Sequence, residues 1–211
     1  MESLNKVGIM GGTFNPVHNG HIALAQCAYE TLSLDKVLFM PSGKSYMKND
    51  VLDAEHRIAM IERAIAPYPY FELSNIEVNR AGNTYTYETL ELLKQQHPQI
   101  RYYFIMGADS LFHIETWKNP EVIFSLSTLV CSVRDEYHME ELENKRDELI
   151  RKGADVILLQ MPKIDISSSD IRNRVARGLT INEFVPDSVS RYISQEHLYE
   201  EDKESTDKKD T

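Results

Sequence analysis

The chain has 211 residues, 42% hydrophobic and 27% charged, with a formal net charge of −10. That balance excludes a mainly disordered chain, and the length suffices to bury roughly 70% of the unfolded surface without staples. An acidic field opposes broad contact with nucleic acid or anionic membrane, so a small anionic substrate needs a local group of positive side chains. No apolar run reaches the ~18–20 residues of a membrane span. The opening MESLNKVGIMGG has no basic flank before a long apolar core, so no secretory leader is expected and the cytoplasm is the expected compartment. Cys27 and Cys131 both lie in apolar patterns and are expected as buried thiols.

The elements alternate along the chain. VGIM (residues 7–10) reads as a short buried strand, and Ile22, Leu24, Ala25, Ala28, Tyr29 and Leu32 form the stripe of a helix over 20–32. VLFM (37–40) is a second strand, followed by a polar loop over 41–50. Asp53 is placed to cap a helix carrying Ile58, Ile61 and Ile65 and closed by Pro67. Residues 71–78 read as extended, 85–96 as helix, and RYYFIM (101–106) as a strand running into Gly107. Strands over 129–133 and 156–160 flank a charged helix over 140–151, and helices over 168–177 and 186–195 follow. Residues 200–211 hold six acids and three lysines and no apolar residue, so a globular unit over 1–199 with a disordered charged tail is expected. Short continuous apolar strands separated by helices imply an α/β fold, a Rossmann-like doubly wound parallel sheet in one domain. Its site belongs at the carboxyl ends of the strands.

After the first strand comes Gly11-Gly12-Thr13-Phe14-Asn15-Pro16-Val17-His18-Asn19-Gly20-His21. Glycines let backbone approach a ligand, and the turn delivers the chain to a helix N-terminus that favours anions. The dinucleotide fingerprint G-x-G-x-x-G is absent, and Gly43-Lys44-Ser45 lacks the first glycine of a P-loop because Leu38 stands there. His18 and His21 lie three apart, so both rings share one face. The residues alone leave three readings: a zinc pair lacking a third ligand, two structural histidines, or two N–H donors aimed at phosphate, with Gly20 leaving room for it. Ser167, Ser168 and Ser169 either simply cap a helix or expose its N–H groups to an anion, with Arg172 one turn inside. Asp109 suits ribose hydroxyls or a cap. Trp117 suits a flat cationic ring or plain core. Thr84 and Thr86, with their amides, begin a helix that can receive a carboxylate.

His18-Asn19-Gly20-His21 resembles the (H/T)-x-G-H signature of the nucleotidyltransferase superfamily, and residues 5–200 more closely resemble the bacterial nicotinate-nucleotide adenylyltransferases. Ile105-Met106-Gly107-Ala108-Asp109 is similar to that family's G-x-D element, Trp117 to its pyridine-stacking tryptophan, and Ile166 to Arg172 to its I-S-S-T/S-x-I-R element. Asn83-Thr84-Tyr85-Thr86 resembles its segment for the nicotinate carboxylate.

The resemblance implies adenylyl transfer from ATP to nicotinate mononucleotide, giving deamido-NAD and pyrophosphate. It implies His18, His21, Lys48 and Arg172 as catalytic residues. ATP is then bound by Gly11, Gly12, Thr13, Phe14, His18, His21, Gly107, Asp109, Ile166, Ser167, Ser168 and Arg172. The mononucleotide is bound by Lys44, Thr84, Tyr85, Thr86 and Trp117. Mg²⁺ arrives on ATP, with no metal site in the protein itself. Met47 stands where the family usually has a histidine, so the phosphate role of that histidine is not carried over to this chain, and Lys44 is either its substitute or a solvated loop charge. Pantetheine-phosphate adenylyltransferase shares the first signature, but the chain's length, Trp117 and Thr84–Thr86 speak against it. A nucleotide-binding sensor without chemistry is opposed by the joint presence of His18, His21, Lys48 and Arg172. Partners are the two small substrates, not nucleic acid or membrane, and a homo-oligomer is one state the sequence allows.

Overall fold

The computed structural model describes residues 6–43, 51–133, 139–161 and 164–200. Six strands, β1 (Lys6–Gly12), β2 (Lys36–Pro41), β3 (Phe71–Leu73), β4 (Arg101–Met106), β5 (Ser127–Val133) and β6 (Asp155–Gln160), form one sheet in the order β3-β2-β1-β4-β5-β6. Every neighbouring pair is parallel. The connecting helices are α1 (Asn19–Leu32), α2 (Ala54–Ile65), α3 (Thr86–Gln96), α4 (Ala108–His113), α5 (Pro120–Leu126) and α6 (Met139–Arg151), followed after β6 by α7 (Ser168–Ala176) and α8 (Asp187–Gln195).

The strands are apolar along their length because both faces are covered. On one face Met10, Phe39, Ile105 and Val130 pack against Ala25 and Ala28 of α1, Met60 and Ile61 of α2, Ile171 of α7 and Val189 of α8. On the other, Ile9, Phe104, Leu129 and Cys131 pack against Leu90 of α3, Leu111 of α4, Ile123 of α5 and Leu142 of α6. The result is the expected doubly wound α/β sandwich. Strand order reverses between β1 and β4, so their carboxyl ends open a crevice that no crossover connection fills.

Four local expectations change. Only residues 71–73 of the extended stretch pair in the sheet; Asn75 to Arg80 turn, with the Asn79 and Arg80 N–H groups donating to Asn75 and Glu77 carbonyls. Residues 108–126 hold α4, a 3-10 turn (Ile114–Thr116) and α5, each too short to show a helical stripe. Asp53 occupies the N-cap position of α2 without a side-chain cap bond. Cys131 is buried, but Cys27 is only partly so. The 3-10 turn leading to Trp117 is tied down by Glu115, which pairs with Lys145 of α6 and with Lys152 just beyond it.

Candidate active site

The loop leaving β1 is built around its own aromatic rings. Phe14 has φ 52°, a left-handed conformation that is uncommon away from glycine, and its ring is buried. It meets His21 edge-on, with centroids 5.0 Å apart. His18 is the N-cap of α1 and is 4% exposed; His21 is at the third position of the same helix, and the two are arranged as a capping box. The His18 N–H donates to His21 Nδ1 at 3.2 Å, which leaves the proton of a neutral His21 ring on Nε2. The rings stack at 3.6 Å.

Gly20 has a packing role as well. A Cβ there would lie 3.1 Å from His18 Nδ1, so the missing side chain makes room for the His18 ring. The start of α1 is also partly used internally, since the Asn19 N–H donates to the Phe184 carbonyl at 2.8 Å.

The serine-rich element docks on this loop. Ser167 caps α7 by accepting from the Asp170 N–H at 3.0 Å. Ser168 Oγ donates to the Pro16 carbonyl at 2.8 Å, and Arg172 Nη1 donates to the Asn15 carbonyl at 2.7 Å. The Asn15 side chain is held from below by Tyr199, whose hydroxyl donates to Asn15 Oδ1 at 2.7 Å. Burial pushes the Tyr199 phenol up, against the pull of Arg172 and Arg57, so it stays protonated as a donor. His18, His21, Ser168 and Arg172 thus gather around residues 13–18. Ile166 and Ser167 instead line a separate hollow of about 390 Å³ beside Asp170, Arg174 and Phe184.

A cleft of about 340 Å³ opens at the ends of β1 and β4. Gly11, Gly12 and Thr13 form one wall. Asp109, in the first turn of α4, and Trp117 form another. Gly107 is the N-cap of α4 and no side-chain cap bond is made, so Asp109 does not serve as the cap. The Trp117 indole is braced at right angles by Phe104, with centroids 6.0 Å apart. Thr84, Tyr85 and Thr86 close the cleft at the start of α3, with Tyr85 as N-cap.

An acid also reaches this cleft. Glu77 lines it and accepts hydrogen bonds from Thr89 Oγ1 at 2.9 Å and from Thr84 Oγ1 at 3.4 Å. Burial pushes its carboxyl above the usual range; the bonds from Thr89, the Arg80 charge, and the bonds from Thr84 and the Gly43 backbone pull it back. The Thr84 hydroxyl is therefore committed to Glu77. Gly43 is glycine for a packing reason, because a Cβ would fall 2.5 Å from the Glu77 carbonyl oxygen.

Residues 9–174 match the cytidylyltransferase-like family model. A chain of Lachnoclostridium phytofermentans, described as a probable nicotinate-nucleotide adenylyltransferase, is 41% identical over 199 residues, 93% of this chain and 100% of that one. This chain belongs to the nicotinate-nucleotide adenylyltransferase family. A similarly described chain of Clavibacter michiganensis is 40% identical over 194 residues, 92% of this chain and 94% of its own length. In fold, the chain is similar to the Plasmodium falciparum nicotinic acid mononucleotide adenylyltransferase complexed with NaAD, with a TM-score of 0.77 at 22% identity over 92% of this chain and 97% of that one. Members of the family are nucleotidyltransferases, and adenylyl transfer in NAD biosynthesis is this chain's activity.

Lys44, Met47 and Lys48 lie outside the described residues. Asn15, Tyr199, Glu77 and Arg57 were not anticipated. Arg57 carried a signal, because it shares the inward face of α2 with Met60, Ile61 and Ala64, where a charge is out of place. Glu77 carried none, since its partners lie across a turn. Among the described residues no helix is long and apolar enough to cross a membrane, and no three His, Cys, Asp or Glu side chains gather as a metal site.

Proposed function

We propose that this site transfers the adenylyl group of Mg²⁺-bound ATP to nicotinate mononucleotide. The observation that carries the reading is the cleft at the β1/β4 switch point, which brings Trp117, the start of α3 and the glycine loop around one volume. The Trp117 indole suits a pyridinium face. The first N–H groups of α3 and its positive dipole end suit a carboxylate. Asp109 suits ribose hydroxyls.

The nucleophile is the mononucleotide's phosphate monoester, whose second pKa of about 6 leaves it mostly ionised at neutral pH. Its oxygen forms a bond to the α-phosphorus of ATP as the bond to the bridging oxygen breaks, and pyrophosphate leaves with that electron pair. No covalent enzyme intermediate and no strong base are required. The protein's task is alignment and charge neutralisation. His21, with its proton on Nε2, donates to the transferring phosphoryl group; His18 stacks behind it. Arg172 brings its charge to the Asn15 loop, and Lys48 and Lys44 are assigned phosphate contacts by their place in the sequence. Mg²⁺ carried on ATP would supply charge neutralisation of the leaving group. The enzyme is read as cytoplasmic, with a net charge of −10 that disfavours nucleic acid.

The test is pyrophosphate release on mixing the protein with ATP, Mg²⁺ and nicotinate mononucleotide, run beside nicotinamide mononucleotide. Donor amides facing the NH₂ of the amide leave polar groups unpaired, so a kcat/KM ratio of at least ~10 in favour of the acid is expected. Equal values for the two substrates would sink the carboxylate assignment.

A further inference from the structure

Arg57 enters α2 on the face that packs into the core and is 4% exposed. A guanidinium does not give up its proton in a protein, so this arginine carries a full charge inward. Among the described residues its hydrogen-bond acceptors are all main-chain carbonyls. Nε donates to Leu52 at 3.0 Å, and Nη1 alone bridges Thr13 at 3.0 Å and Ser42 at 2.9 Å. Burial is the largest influence on the group and acts against its charge; Tyr199 and Asp53 act the other way. An apolar residue would pack this face of α2 without that desolvation cost.

The location gives the charge a purpose. Thr13 ends the glycine wall of the cleft and precedes Phe14, the ring that supports His21. Ser42 lines the cleft just after β2, and its N–H donates to the Gly12 carbonyl at 2.8 Å. The Arg57 guanidinium therefore sits behind the junction of the two walls, between the pyridine cleft and the histidines. In the reaction proposed above, on which this inference rests, that junction is where the mononucleotide phosphate meets the α-phosphorus of ATP.

We propose that Arg57 is a positioning residue for adenylyl transfer, fixing Thr13 and Ser42 so that the two substrates meet in line. Alignment affects the chemical step more than binding. Arg57→Gln should lower kcat by ~10–100-fold while the KM of each substrate stays within ~3-fold. Arg57→Lys keeps the charge and some carbonyl contacts and should lose only ~3–10-fold in kcat, which keeps the test usable if the glutamine variant does not fold.

The decisive experiment measures kcat and both KM values for the parent and the two variants, with amide hydrogen exchange at Ser42 set against Phe104 in β4 as an internal reference. Faster exchange at Ser42 but not at Phe104, together with the fall in kcat, is the expected result. A kcat within ~2-fold of the parent in a folded variant, or a loss confined to KM, would overturn the proposal. Unchanged Ser42 exchange would overturn it as well. A parent without pyrophosphate release would instead refute the substrate reading, and the exchange measurement would still decide whether Arg57 holds the junction.

Discussion

The two halves of the site are built on opposite plans. Around residues 13–18 the polar groups are tied to one another: His18 to His21, Ser168 to Pro16, Arg172 and Tyr199 to Asn15. Around Trp117 and Thr84 there is an open cleft of about 340 Å³ and a partly buried acid. The first half is a preorganised frame whose geometry exists without ligand, as charge stabilisation in a transition state requires. On the proposed reading the second is a container whose electrostatics set what enters. Damage to the frame should therefore appear in kcat, and damage to the container in the KM of one substrate.

The largest expected effect breaks the frame. His21→Ala removes the Nε2–H donor and should lower kcat by ~10²–10³, the usual cost of losing one transition-state donor. Steady-state kinetics on a folded variant measure it, and a fall below about threefold would make the ring a packing element like Phe14.

The container is probed by Trp117→Ala. Loss of a stacking face should raise the KM for the mononucleotide by ~10-fold and leave that for ATP nearly unchanged, the signature of lost uniform binding. As the only tryptophan, Trp117 also reports directly: its fluorescence should be quenched by mononucleotide in the parent. Equal damage to both substrates would mean that the indole is shared between the halves.

A finer probe of the container is Glu77. Its folded-state pKa is raised by burial, so the folded protein holds the proton more tightly than the unfolded chain. The stabilisation is complete below the ordinary value of 4.5 and is lost as pH rises through the raised folded value. An ionised Glu77 also opposes a carboxylate in the cleft. The KM for nicotinate mononucleotide, divided by that for the amide, should rise over the same window, since the phosphate's own titration cancels in the ratio. Glu77→Gln should flatten that profile and raise the acid preference by ~3-fold at neutral pH, the effect of one partly screened charge. A ratio that keeps its pH dependence in the variant would show that Glu77 is not its source.

The smallest effect returns to the frame. Tyr199→Phe deletes the hydroxyl that holds Asn15 and keeps the ring. It should cost ~1 kcal/mol of stability by denaturant unfolding, with kcat reduced by less than the His21 substitution reduces it.

The contrast also explains what could be read in advance. β1, β2, β4 and β6 and helices α1, α3, α6 and α8 follow from apolar runs and stripes within a residue or two of their ends. The short α4 and α5 do not, because helices of six and seven residues are held by packing rather than by their own pattern. Of the expected site residues, those at or just past a strand end lie where the apolar runs place them: Gly11 to His21 at the end of β1, and Gly107 and Asp109 after β4. No acid lies within residues 83–87, and Glu88 pairs with Arg80, yet the cleft still receives Glu77 from across a turn. Gly20 and Gly43 were legible as glycines but not in their reasons, which are the His18 ring and the Glu77 main chain.

The sequence by itself determined the doubly wound sheet and the end of the strands where chemistry is done, because burial of both sheet faces and the turn after each strand are written in local periodicity. It also determined the family, through residues contiguous in the chain. Only the tertiary structure decided how those residues are held. Arg172 and Tyr199 reach Asn15 from 157 and 184 residues away, and Arg57 reaches Thr13 across 44. Contacts at such separations leave no period in the sequence; they exist because parallel strands align the ends of distant segments along one edge of the sheet.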